Sequence, residues 1–185
     1  MKIAININGI IRDLFGKIKI VHKKYYDSDI EEELNYNNIK ELLNFKEEDD
    51  LLEFLYREAP MEIFGHATEV KNNFIRSLNE LVGENKDCEF TLISDEVGRG
   101  IPATFWFLAK YGCSVKNIKF YTVDTISDLW DEFDLIFTND EPIIKLKPAD
   151  KLLYTFNKSD YVDSEYTLES PSKIINLDIF KKEDD

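Results

Sequence analysis

The chain has 185 residues, of which 43% are hydrophobic and 13% aromatic. That supports one compact domain, or a core with a small cap, and excludes a disordered composition. A formal net charge of −14 excludes direct nucleic-acid binding as the main role, because the basic residues are scattered among more numerous acids and form no stripe for a phosphate backbone.

The opening residues carry no charged leader with a cleavage site, and no apolar run reaches the ~18 residues of a membrane span, so a cytoplasmic protein without membrane contact is expected. Cys88 and Cys113 lack metal-ligand spacing and read as buried, reduced thiols. His22 and His66 have no ligand-spaced carboxylate or Cys neighbours and read as surface or turn residues.

In chain order, Ile3-Ala4-Ile5-Asn6-Ile7-Asn8-Gly9 predicts a buried strand that ends in a turn. Residues 29–82 predict helices: one on Ile39, Leu42, Leu43 and Phe45, and one on Leu51, Leu52, Leu55 and Tyr56. A third falls on Val70 to Leu81, with Thr68 as its cap and Gly83 as its stop. Glu47-Glu48-Asp49-Asp50 reads as a solvated helix start that suits the dipole. After Gly83 the pattern alternates: strands over 89–94, 118–123 and 135–138, helices over 102–111 and 126–130, and a closing segment over 151–156. Short linkers between alternating elements predict βαβ units and a parallel sheet. Residues 158–185 read as an acidic C-terminal arm.

In an open parallel sheet, chemistry gathers beyond the carboxyl ends of the strands. Three segments meet that condition: Asn6 to Gly9, Ser94-Asp95 and Thr138-Asn139-Asp140. Their order and spacing resemble the haloacid-dehalogenase superfamily, and especially its small 5'-nucleotidase-like phosphatases. The resemblance implies a Rossmann-like α/β core with helices on both faces, formed by residues 1–12 and 84–157. It also implies a small helical cap over residues 13–83. In such enzymes the first strand ends in Asp-x-Asp-Gly, the second in Ser or Thr, and a later strand in an acidic pair that helps hold Mg²⁺.

Here the aspartate positions hold Asn6 and Asn8, and the late pair reads Asn139-Asp140. A neutral carboxamide is a poor nucleophile and cannot cycle a proton near pH 7. Two amides in place of carboxylates also weaken a hard-cation site. No Lys lies between Val123 and Asp134 to supply the family's balancing cation. The implied protein is a pseudophosphatase with degenerate positions Asn6, Asn8, Ser94, Asn139 and Asp140, needing no cofactor. Ser94 and the Gly98-Arg99-Gly100 turn remain phosphate-binding candidates, the turn also reading as a plain strand-to-helix connection.

Of Phe105, Trp106, Phe107 and Tyr111 in one helix, at least one is expected to face outward, and Tyr154, Phe156, Tyr161 and Tyr166 are interface candidates. An excess of Lys over Arg with abundant Ile and Asn suits an AT-rich genome. The leading expectation is therefore a non-catalytic protein-interaction or structural component, either self-assembling or part of a bacteriophage virion. The alternatives are an active Mg²⁺ phosphatase using Asp95, Asp124 and Asp140, and a nucleotide- or phosphate-binding regulator.

Overall fold

The computed structural model describes residues 1–156, 166–168 and 171–180. Most of the expected C-terminal arm, with Tyr161, lies outside the described residues. Five strands form one parallel sheet: β1 (Lys2–Asn6), β2 (Glu89–Ser94), β3 (Asn117–Phe120), β4 (Leu135–Phe137) and β5 (Leu152–Tyr154). The order β3-β2-β1-β4-β5 is that of a Rossmann-like α/β fold, and it reverses between β1 and β4. The inner strands read as near-continuous apolar runs because both faces are covered.

Register places Ala4 beside Ile136, and Ile136 beside Leu153, on one face. These residues bury against Ile126, Leu129 and Trp130 of α6 (Ile126–Glu132) and Ile143 and Ile144 of α7 (Glu141–Lys145). The Trp130 indole N–H donates to the Ile143 carbonyl at 3.0 Å, so its one polar atom is satisfied inside that core. Phe90 lies on the opposite face, in register with Ile3, and stacks on Phe180 of a 3₁₀ turn at 6.0 Å. A further backbone bridge joins Thr155 to Thr167 beyond the end of β5.

The chain divides into two compact units. The sheet unit comprises residues 1–11, 69–95 and 112–185, and the helical unit residues 12–68 and 96–111. This division differs from the sequence reading at two helices. The first, α4 (Phe74–Glu84), groups with the sheet unit, where it contacts the 3₁₀ turn Pro171–Asn176. The second, α5 (Gly100–Lys110), groups with the helical unit, where it packs on the π-helical turn Met61–Gly65. Gly65 permits that approach: a Cβ there would stand 3.2 Å from the Trp106 ring and 2.4 Å from the Met61 sulfur.

The remaining helices of that unit are α1 (Leu14–Tyr26), α2 (Ile39–Leu42) and α3 (Glu48–Glu53), which runs on into the π-helical turn Phe54–Glu58. Sequence periodicity does not announce α1, whose apolar residues Leu14, Ile18 and Val21 are interrupted by lysines. Asp13 caps it by accepting from Gly16 N–H at 3.0 Å. The expected limits of the third helix shift as well: α4 starts after Asn73 rather than at Thr68, and Gly83 lies inside it.

The helical unit holds a buried ion pair. Arg12 and Glu96 are both fully buried, and the guanidinium also donates to the Phe64 carbonyl at 3.1 Å and the Thr104 hydroxyl at 2.8 Å. The rings of Phe64 and Phe107 flank it at 5.2 and 5.4 Å. One cation thereby ties together three stretches that are far apart in sequence.

Two expectations about isolated residues are corrected here. Cys88 and Cys113 are free but only half-buried, since both lie in turns that lead into strands. His22 is buried on α1 among Tyr26, Phe45 and Phe54, with Nε2 at 3.1 Å from the Leu43 carbonyl. Burial holds its pKa below the usual value, with backbone hydrogen bonds opposing in part. The unfolded chain therefore binds the proton more tightly, and stability should fall as the pH drops below about 6.5. Urea unfolding at successive pH values checks this: the contribution should disappear in His22→Gln, whatever that variant's absolute stability.

Candidate functional site

Three strand ends converge where the sheet order reverses, wholly within the sheet unit. Past Asn6 the chain stays in hydrogen-bond register for one residue, Ile7 N–H donating to the Ile93 carbonyl at 2.9 Å, and then turns at Gly9 with φ of 77°. That left-handed angle is the reason for glycine here. Asn6 and Asn8 are buried at the mouth of this turn.

The amides and carboxyls at the site bond one another and their neighbours. Asn8 N–H donates to Asn6 Oδ1 at 3.1 Å, which fixes the Asn6 amide so that its Nδ2 faces the other way. That Nδ2 donates to Thr138 Oγ1 at 3.0 Å and to Tyr121 Oη at 3.2 Å. The Tyr121 hydroxyl in turn donates to Asp140 Oδ2 at 2.8 Å, and Asp140 N–H donates to Thr138 Oγ1 at 2.9 Å. Asn8 Nδ2 donates to Asp95 Oδ1 at 2.8 Å. Asn139 closes the rim: its Nδ2 donates to the Gly9 carbonyl at 3.3 Å, and its Oδ1 accepts from Thr155 Oγ1 at 2.9 Å and Phe156 N–H at 2.8 Å.

Burial pushes the Asp140 carboxyl above the usual carboxylate range; the Tyr121 hydrogen bond opposes the shift, and neighbouring Glu141 adds to it. Its charged form is thus the strained one, and stability at this group declines as the pH rises through its folded-state pKa. Asp140→Asn keeps an acceptor for Tyr121 and removes the charge. It should leave neutral-pH stability unchanged or raise it by up to about 1 kcal/mol, as read by urea midpoint. A marked loss would mean that the charge serves the fold.

Mg²⁺ does not fit this donor set. A cation shared by the first and fourth strand ends needs oxygen lone pairs from both. Two amide hydrogens of Asn6 and the phenolic hydrogen of Tyr121 fill that space instead. Among the described residues no group of three or more His, Cys, Asp or Glu side chains could hold a metal ion. Asp124 lies exposed in the turn Val123–Thr125, apart from the hydrogen-bonded set of Asp95 and Asp140.

The strand ends thus bring together Asn6, Asn8, Asn139 and Asp140. Ser94 ends β2 fully buried, with no hydrogen-bond partner for its hydroxyl among the described residues. Gly98, Arg99 and Gly100 belong to the helical unit, where they open α5. Tyr121, the link between the first and fourth strand ends, is a site residue that the strand-end motifs do not mark. The available signal was a polar-tipped aromatic just past an apolar strand. No model of a known protein family matches the chain, and no curated protein is significantly similar to it. Among the described residues, no helix is long and apolar enough to cross a membrane.

Proposed function

We propose that this is a non-catalytic member of the haloacid-dehalogenase-like fold, a pseudophosphatase retained as a structural or protein-interaction component. The observation that carries the reading is the orientation of the Asn6 amide. Its N–H groups, rather than an oxygen, face the fourth strand end, where Tyr121 and Thr138 hold them. A donor at that point offers no lone pair for attack, and it repels a cation. Support for an interaction role comes from Phe105 and Trp106 on α5, both about half exposed, as expected for contact residues rather than core. Assembly within a particle such as a phage virion is the setting proposed, on composition.

The test is hydrolysis of nucleoside monophosphates in excess Mg²⁺. No release of phosphate above buffer is expected; turnover that Asp140→Ala abolishes would make the protein an enzyme. One observation favours a second reading, phosphate or nucleotide binding without turnover: the unpartnered Ser94 hydroxyl. Calorimetry with inorganic phosphate and with nucleoside monophosphates addresses it, and absence of heat at millimolar ligand removes it.

A further inference from the structure

A groove of about 560 Å³ lies wholly within the helical unit, independent of the strand-end site. Its walls include Asp49, Leu52, Glu53, Tyr56 and Arg57 from α3 and the turn after it, and Val97 and Arg99 from the loop before α5. Leu52 and Val97 keep 42% and 43% of their surfaces in solvent, an apolar pair at the groove that the unit's own core leaves uncovered. Such apolar surface rimmed by charge is the usual form of a docking site.

Charge selects the occupant. Glu47, Glu48, Asp49 and Asp50 are exposed along the start of α3, and neither Glu48 nor Asp49 has an ion-pair partner among the described residues. Of the two bases in the lining, Arg57 is held by Glu53 at 2.9 Å, and Arg99 donates to the Arg57 carbonyl at 3.5 Å, with no ion-pair partner among the described residues. Asp49 and Glu53 balance Arg57 and Arg99 in the lining, and the excess of negative charge comes from Glu47, Glu48 and Asp50 beside it at the start of α3. A second copy of a chain with net charge −14 would meet the same sign, and so would a phosphate-rich surface.

We propose that this groove docks a basic amphipathic segment of a partner protein, with apolar side chains on Leu52, Tyr56 and Val97 and Lys or Arg against the acidic start of α3. Apolar contact supplies the affinity, and the charges supply register and approach rate.

The probe is a short fluorescent amphipathic helical peptide built of Leu and Lys, titrated onto the full chain by anisotropy. Leu52→Ser with Val97→Ser, and separately Glu48→Lys with Asp49→Lys, should each weaken binding at least ~10-fold. Val123→Ser, at a position 86% exposed in the sheet unit, should leave binding unchanged. All four substituted positions are exposed, so the variants should fold, and circular dichroism checks this. Equal binding by wild type and both groove variants would overturn the proposal, as would equal binding of a Leu/Glu peptide of the same pattern. A concentration-dependent dimer in sedimentation that Leu52→Ser disrupts would also overturn it, by assigning the groove to a second copy.

Discussion

Replacing Arg12 by Met lowers the stability of the helical unit by about 3–5 kcal/mol. The Met stem still fits between the rings of Phe64 and Phe107, so packing is largely kept. What changes is that Glu96, fully buried, loses its counter-charge, while the Phe64 carbonyl and Thr104 hydroxyl lose a donor. Removing one partner of a buried pair costs more than removing both, because the orphaned charge has nowhere to be solvated. Arg12→Met combined with Glu96→Leu should therefore recover much of the loss, and a double-mutant cycle reads the coupling. The chain's two tryptophans suit the measurement, since Trp106 lies in the helical unit and Trp130 in the sheet unit. In urea, Trp130→Phe leaves Trp106 as the reporter, and its transition should shift most. Equal stability of Arg12→Met and wild type would show that the pair contributes nothing.

Asn6→Asp is the second large effect. In an active phosphatase of the resembling family the aspartate is the native residue; here it should destabilise the sheet unit by about 2–4 kcal/mol at pH 7. Asn6 is 1% exposed, and its Nδ2 donates to Tyr121 and Thr138. A carboxylate can donate neither bond; it could only accept, competing with Asp140 for the one Tyr121 hydrogen, and it would stand one hydroxyl away from that second carboxyl. Two buried carboxyls so linked raise each other's pKa, and they resist joint ionisation. The deficit should shrink as the pH falls toward 4, where the pair can hold a proton and the Tyr121 hydroxyl still has an acceptor. Urea midpoints at pH 7 and 4.5 measure this. Added Mg²⁺ should give no stabilisation, either to this variant or to one that also carries Asn8→Asp and Asn139→Asp, while Tyr121 remains. A midpoint that rises with Mg²⁺ would show a latent metal site and sink the pseudophosphatase reading.

These two effects differ in how far the sequence foretells them. Asn6 is visible at once, because a β-branched run stopping at Asn-Gly marks a strand end. Ser94 and Asn139-Asp140 are visible for the same reason. Tyr121 is not, since its partner Asn6 lies 115 residues away and the two meet through the pairings of β1 with β2 and β2 with β3. Nor is Arg12, 84 residues from Glu96 and outwardly one more exposed base in an acidic chain.

The sequence by itself determined the parallel sheet and the strand ends that face one another, because apolar runs of β-branched residues between helical patterns leave few ways to bury both faces. It also determined that amides, Asn6, Asn8 and Asn139, stand at the ends of the first and fourth strands. Tertiary structure alone decided which helix belongs to which unit, that Tyr121 joins Asn6 to Asp140, and that His22 and Arg12 lie in the interior. Each of those outcomes depends on contacts between residues tens of positions apart. Local propensity has no access to them, since it reports what one segment prefers and not what will be packed against it.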